Sequence, residues 1–225
     1  MISLENVTKN YTDRGSNVAA LDNVSLEFEP GRLVCVYGPS GSGKTTLLMS
    51  IAGMLRPTAG KIIVDGTDMY GISGSDRARF RSQNIGFIFQ MFHLVPYLNV
   101  LDNILLCTHG NSGATKQDVT RHIERLGLTH RAGHKPSQLS TGERQRTAIA
   151  RATLLRPSVL LADEPTGNLD EENASEVHKI LSDYRDQGGT VLVITHGKEA
   201  MQYADRVIQM REGRITEQNT ESTES

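Results

Sequence analysis

The chain has 225 residues, a net charge of −2 and a sequence pI of about 6.4, a size that buries one full core or a core carrying an insertion. Its charge balance offers no broad cationic field, so neither nucleic acid nor an anionic lipid surface is expected as a partner. The start Met1-Ile2-Ser3-Leu4-Glu5-Asn6 lacks the pattern of a signal peptide, and no run approaches the roughly 20 apolar residues that cross a bilayer, so no direct membrane insertion is expected.

In chain order, short strands are predicted over Ile2–Thr8 and Ser25–Phe28, then a buried strand over Leu33–Tyr37. A helix over Thr45–Met54 follows, then a strand over Lys61–Asp65 ending at the turn signal Asp65-Gly66 and a fourth core strand over Ile85–Phe89. From Gln90 to Leu155 the pattern becomes helical, over Asn99–Cys107, Thr115–Gly127 and Glu143–Leu155. In the second of these, Val119, Ile123 and Leu126 form one apolar stripe. Val159–Ala162 and Thr190–Thr195 are continuous apolar runs, as in parallel strands covered on both faces. Ile208–Ile215 reads as a hairpin turning at Glu212-Gly213, followed by a polar tail predicted to be disordered. Strands on both sides of an all-helical stretch imply an α/β core with an inserted helical subdomain, and the shorter strands imply an antiparallel layer beside the main sheet. Cys35 and Cys107 lack metal-ligand spacing and read as buried free thiols of a reducing compartment.

Between a strand and a helix stands Gly38-Pro39-Ser40-Gly41-Ser42-Gly43-Lys44-Thr45-Thr46. Two glycines five apart followed by Lys-Thr, in that context, form a loop whose N–H groups wrap an anion at the positive end of a helix. Lys44 is expected to reach the β- and γ-phosphates and the Thr45 hydroxyl to ligate Mg²⁺. The loop implies a bound nucleoside triphosphate.

A second half of the site follows the strand Val159–Ala162, which ends in Asp163-Glu164. Ligands of open α/β sheets sit beyond the carboxyl ends of the strands, so both acids are expected near the phosphate loop. Asp163 suits a Mg²⁺ that takes one or two protein oxygens. Glu164 is then free to polarise the attacking water, an effect on the order of 10²–10⁴ in rate. His196 directly follows another core strand and opens onto the same edge, whereas His93, His109, His122, His130, His134 and His178 are expected at the surface. Leu139-Ser140-Thr141-Gly142-Glu143 precedes a helix, where Ser140 and Glu143 have the spacing of a capping box. The same residues also suit a second anion site made by Ser140 and the Gly142 amide, and spacing leaves both readings open.

The order of phosphate loop, Gln90, Leu139–Glu143, Asp163-Glu164, Asp170 and His196 resembles the nucleotide-binding subunit of ATP-binding cassette (ABC) transporters, over nearly the whole chain. The resemblance implies a RecA-like P-loop NTPase core with an antiparallel β layer and a helical subdomain. The corresponding boundaries are 1–89 with 156–217 for core and layer, 90–155 for the helices and 218–225 for the tail. It implies ATP and Mg²⁺ as cofactors, with Tyr11 stacking on adenine and Gln90 contacting Mg²⁺. It also implies that Ser140, Gly142 and Glu143 bind ATP held by the opposite subunit of a homodimer, that Asp170 couples the two sites, and that His196 is the switch histidine. The segments Phe87–Pro96 and Asp163–Asp170 resemble the lipoprotein-releasing, macrolide-efflux and cell-division type ATPases of bacteria. Those ATPases work with an integral membrane permease from the cytoplasmic face of the inner membrane. The alternative implied is a cassette ATPase that regulates a membrane partner without moving a substrate. Phe92, Leu94 and Tyr97 are expected to be exposed as the permease contact, and Thr141 stands where the family generally has glycine.

Overall fold

The computed structural model describes residues 1–13, 16–108, 114–197 and 199–220. Among the described residues the strands are β1 (Ile2–Asp13), β2 (Ser16–Phe28), β3 (Leu33–Tyr37), β4 (Ala59–Val64), β5 (Thr67–Asp68), β6 (Ile85–Ile88), β7 (Val159–Asp163), β8 (Thr190–Thr195), β9 (Arg206–Arg211) and β10 (Arg214–Thr220). The α-helices among the described residues are α1 (Lys44–Ile51), α2 (Gly74–Asn84), α3 (Val100–Leu105), α4 (Lys116–Arg125), α5 (Thr141–Thr153) and α6 (Glu171–Asp186).

The main sheet has the order β10-β9-β3-β8-β7-β6. Its strands from β9 to β6 pair in parallel, and β10 closes the edge as an antiparallel hairpin. Alternation along the strands fills both faces. Val34, Val36, Leu161, Leu192 and Ile194 face a core shared with α1 and the antiparallel layer β2-β1-β4-β5. Leu33, Cys35, Leu160, Val191 and Val193 face the opposite core, against Val177 and Leu181 of α6. Two covered faces explain why these strands read as continuous apolar runs. A third core joins α3, α4 and α5 through Val100, Ile104, Val119, Ile123, Leu126, Leu139 and Ala150, so the predicted stripe of α4 is the buried one.

The structure extends or corrects several sequence expectations. β1 and β2 run on past their predicted ends as a long irregular ribbon, because register shifts at Leu4/Val7, Val7/Lys9 and Lys9/Asn10 break the alternation that sequence patterning relies on. β10 continues to Thr220, so residues 218–220 pair with β9 where a disordered tail was predicted, and 221–225 lie outside the described residues. Two helices were not predicted. α2 buries none of its residues and therefore carries no periodic signal. α6 buries Ala174, Val177, His178 and Leu181, which is helical spacing that the sequence does display.

Two histidines expected at the surface are packed instead. His122 is half-buried with Nε2 2.9 Å from Thr153 Oγ1. His178 is buried and stacked on Tyr203 with ring centroids 4.7 Å apart. His109 lies outside the described residues. Cys35 is buried and Cys107 half-buried, and both thiols are free. Burial pushes Cys35 up to about 12 and Cys107 to about 11, so neither is a nucleophile at neutral pH.

Candidate nucleotide site

Because β3, β8, β7 and β6 are parallel and nearly in register, their carboxyl ends converge on one edge. Tyr37 pairs with Thr195, Asp163 with Ile194, and Ile88 with Ala162. The residues that follow those ends are the phosphate loop, His196, Glu164 and Phe89-Gln90. Topology alone thus gathers segments from four separate parts of the chain.

The loop turns into α1 at Gly43, which has φ +100° and no side-chain cap on the helix. A Cβ at Gly43 would lie 2.1 Å from the Ala20 carbonyl oxygen of β2, so the position admits only glycine, on both conformational and steric grounds. An uncapped helix N-terminus leaves N–H groups free to take an anion. Lys44 is buried, and its Nζ donates to the carbonyls of Gly38 at 2.7 Å and Pro39 at 3.0 Å, which folds the cation back into the loop. Burial lowers its pKa, while the carboxylates of Glu164 and Asp163 act in the opposite direction. Ser42 Oγ is buried without a hydrogen-bond partner among the described residues, an acceptor and donor inside the same loop.

Thr45 Oγ1 donates to Asp163 Oδ1 at 3.4 Å, joining the loop to the end of β7. Asp163 is buried, and desolvation, helped by the neighbouring Glu164 charge, raises its pKa; Thr45 and Lys44 pull the other way. Both Thr45 and Asp163 are hard oxygen donors, which is the donor chemistry of Mg²⁺. Glu164 has φ +46°, a left-handed turn that redirects its side chain away from the strand line. Thr195 donates to Glu164 Oε2 at 3.0 Å, and His196 Nδ1 lies 2.9 Å from Oε1. The carboxylate is thus aimed by two residues at the end of β8, with the imidazole largely exposed.

Gln90 is exposed, and its backbone carbonyl accepts from Asn168 Nδ2 at 3.4 Å. Beyond it, Phe92 and His93 both have positive φ, +58° and +47°. Arg151 of α5 holds that pair, donating to the His93 carbonyl at 2.7 Å and the Phe92 carbonyl at 2.9 Å. Buried Asn103 braces the following turn through Val95, Leu98 and Asn99. Met91 and Tyr97 project from this braced segment, 70% and 74% exposed, whereas Phe92 and Leu94 are half-buried rather than exposed. Met91 was missed because one apolar residue in a polar loop carries no periodicity.

Tyr11 pairs with Val18 across β1 and β2, and both are large exposed apolar side chains. Val18 lies two residues before Ala20, whose carbonyl oxygen is the atom that a Cβ on Gly43 of the phosphate loop would meet. Val18 has no sequence signal, since its role depends on the cross-strand register. Lys9 Nζ sits 5.3 Å from the Tyr11 ring centroid.

Ser140, Gly142 and Glu143 lie apart from this cluster. No hydrogen bond or ion pair among the described residues links them to the phosphate loop. Ser140 caps α5, its Oγ accepting from Glu143 N at 3.2 Å, while Glu143 Oε2 accepts from Ser140 N at 2.7 Å. The capping-box reading is therefore realised in the single chain. A Cβ on Gly142 would meet Asn173 Oδ1 at 2.0 Å. Asn173 is in turn fixed by Asp170, which caps α6, and by Arg146. Thr141 is exposed at the first position of α5.

The ABC transporter family profile matches residues 21–167. The lipoprotein-releasing system ATP-binding protein LolD 1 of Rhodopirellula baltica is 44% identical over 200 residues, covering 87% of each chain. The macrolide export ATP-binding/permease protein MacB of Chlorobaculum tepidum is 42% identical over 220 residues, 96% of this chain, and the chain spans about a third of that protein's length. The dimeric structure of the ATP-binding cassette MJ0796 bound to ADP and Pi superposes with a TM-score of 0.92 at 34% identity, covering 98% of both chains. The chain belongs to the ABC transporter family, as an ATP-binding cassette of the group that includes LolD and MacB.

Proposed function

We propose that this chain hydrolyses ATP as the cytoplasmic, peripheral subunit of an export or extraction transporter, closing as a homodimer on ATP to drive a membrane permease. The observation that carries it is the convergence of Lys44, Thr45, Asp163 and the aimed carboxylate of Glu164 on one sheet edge. In this reading Lys44 exchanges its Gly38 and Pro39 carbonyls for the β- and γ-phosphates, and Ser42 gains a partner. Tyr11 and Val18 pack against the base. Thr45 and Asp163 would hold Mg²⁺, with Gln90 completing the set, and the ion would supply charge neutralisation at the phosphates. Glu164 orients and polarises the attacking water, with Thr195 and His196 holding its carboxylate. Ser140 and Gly142 cover the nucleotide of the partner copy, and Asp170 links that face to α6 through Asn173.

The permease contact is the segment carrying Met91 and Tyr97, the exposed apolar pair on a rigidly braced loop. Among the described residues no helix is long and apolar enough to cross a membrane. Purification of the tagged chain from membranes tests the reading. A co-purifying multi-span permease that stimulates ATPase activity supports it. An ATPase recovered with no membrane protein, and insensitive to added permease, contradicts it.

A further inference from the structure

We propose that Arg131 is a positioning residue for the second nucleotide face: its guanidinium neutralises the carboxylate of Glu143, so that the N-terminus of α5 can accept a phosphate. The inference rests on the reading above that Ser140 and Gly142 meet a nucleotide held by a partner copy.

Glu143 stands in the first turn of α5 and is buried. Its Oε2 takes the Ser140 N–H, and its Oε1 takes Arg131 Nε at 2.7 Å, with His130 Nε2 3.6 Å away. Burial alone would raise its pKa, yet the Arg131 bond and the two Ser140 bonds outweigh burial and bring it down to about 2. The carboxylate is therefore ionised at any working pH. For the isolated chain that charge is favourable, because it caps the helix and opposes the positive end of the macrodipole. For an arriving phosphate it is unfavourable twice over. It has already taken one N–H donor, and it offsets the partial positive charge that makes a helix N-terminus attractive to anions.

Arg131 resolves the conflict. A guanidinium stays charged under all conditions, and it stands closer to the carboxylate than the exposed His130, which is 3.6 Å away. Arg131 is also placed independently of α5. Its 3₁₀ turn, Thr129–Arg131, follows fully buried Leu128. The residues just after it accept from the start of α3, Ala132 from Leu101 N at 3.1 Å and His134 from Val100 N at 2.9 Å. His134 Nε2 lies 3.5 Å from Arg131 Nη1, while Glu143 meets Nε.

A charge cycle on the full chain tests this, with steady-state ATPase and thermal melting measured on each variant. Arg131→Ala is expected to raise the ATP concentration for half-maximal rate by roughly tenfold, as for loss of one partner of a mostly buried charge pair. Arg131→Lys retains most of the wild-type value. Arg131→Ala with Glu143→Gln returns the half-saturating concentration to within about twofold of Glu143→Gln alone, because a neutral amide needs no counter-charge. Melting curves set the assay temperature where every variant is folded. If Arg131→Ala melts lower but keeps the wild-type half-saturating concentration, the residue only supports the fold and the proposal is overturned. A double variant no better than Arg131→Ala also overturns it. A wild-type protein that hydrolyses ATP without any dimerisation overturns the two-copy reading itself, and the inference with it.

Discussion

The imidazole of His196 and the carboxylate of Glu164 meet at 2.9 Å, and Thr195 secures the second carboxylate oxygen at 3.0 Å. Glu164 leaves β7 through a left-handed turn, and its own N–H is bonded to the Ile194 carbonyl of β8. The end of β8 therefore sets where the carboxylate points.

Glu164→Gln keeps the shape and most of those contacts while removing the basic charge. Turnover should fall by about 10²–10⁴, the worth of a positioned general base, with ATP affinity retained. Size-exclusion chromatography in ATP should show accumulated dimer, and undiminished hydrolysis would remove Glu164 from its role.

Lys44 is held in the structure by two carbonyls of its own loop, so its replacement by Ala costs the fold only those bonds, about 1–2 kcal/mol. Nucleotide binding, by contrast, loses its principal cation. Titration with a fluorescent ATP analogue should show no saturable binding, while melting shifts by only a few degrees. Wild-type affinity in Lys44→Ala would refute the assignment.

Met91 and Tyr97 are members of none of the three core clusters, and they are among the most exposed large apolar side chains of the described residues. Met91→Ser with Tyr97→Ser should leave melting unchanged within about 0.5 kcal/mol, as expected for surface positions. The same pair should abolish co-purification of the membrane partner. Retained co-purification would move the docking surface elsewhere.

Burial lowers the pKa of both His122 and His178 below the ordinary value of 6.5, with the Arg125 charge adding to the effect at His122. In the unfolded chain both imidazoles take up protons at higher pH than in the folded one. Stability is therefore full above the unfolded value and declines as pH falls through it. Melting temperature should drop between pH 7.5 and about pH 5.5, the window set by an imidazole near 6.5. His178→Gln should flatten part of that slope, and an unchanged slope would assign the loss to other groups.

What the sequence disclosed follows from the kind of constraint involved. The phosphate loop is legible because anion wrapping demands particular residues at fixed local spacing, and Asp163 and Glu164 because an apolar strand announces its own end. α6 had a readable stripe, whereas α2 lies on the surface with none of its residues buried and offered nothing to read. The contacts that sequence could not supply are tertiary. Arg131 with Glu143, Arg151 with the Phe92 and His93 carbonyls, and Val18 beside Tyr11 each depend on how separate elements pack or register. The ribbon of β1 and β2 was under-read for a similar reason, since its bulges hide the two-residue period.

In the proposed function the phosphate-loop face and the α5 face, which share no hydrogen bond or ion pair among the described residues of a single chain, complete each other across two copies. Specific ATPase activity measured against protein concentration addresses it directly. Activity per molecule should rise with concentration to a plateau, with half of the plateau reached where sedimentation in ATP shows half of the protein paired. Full activity per molecule in a dilute, strictly monomeric sample would contradict it.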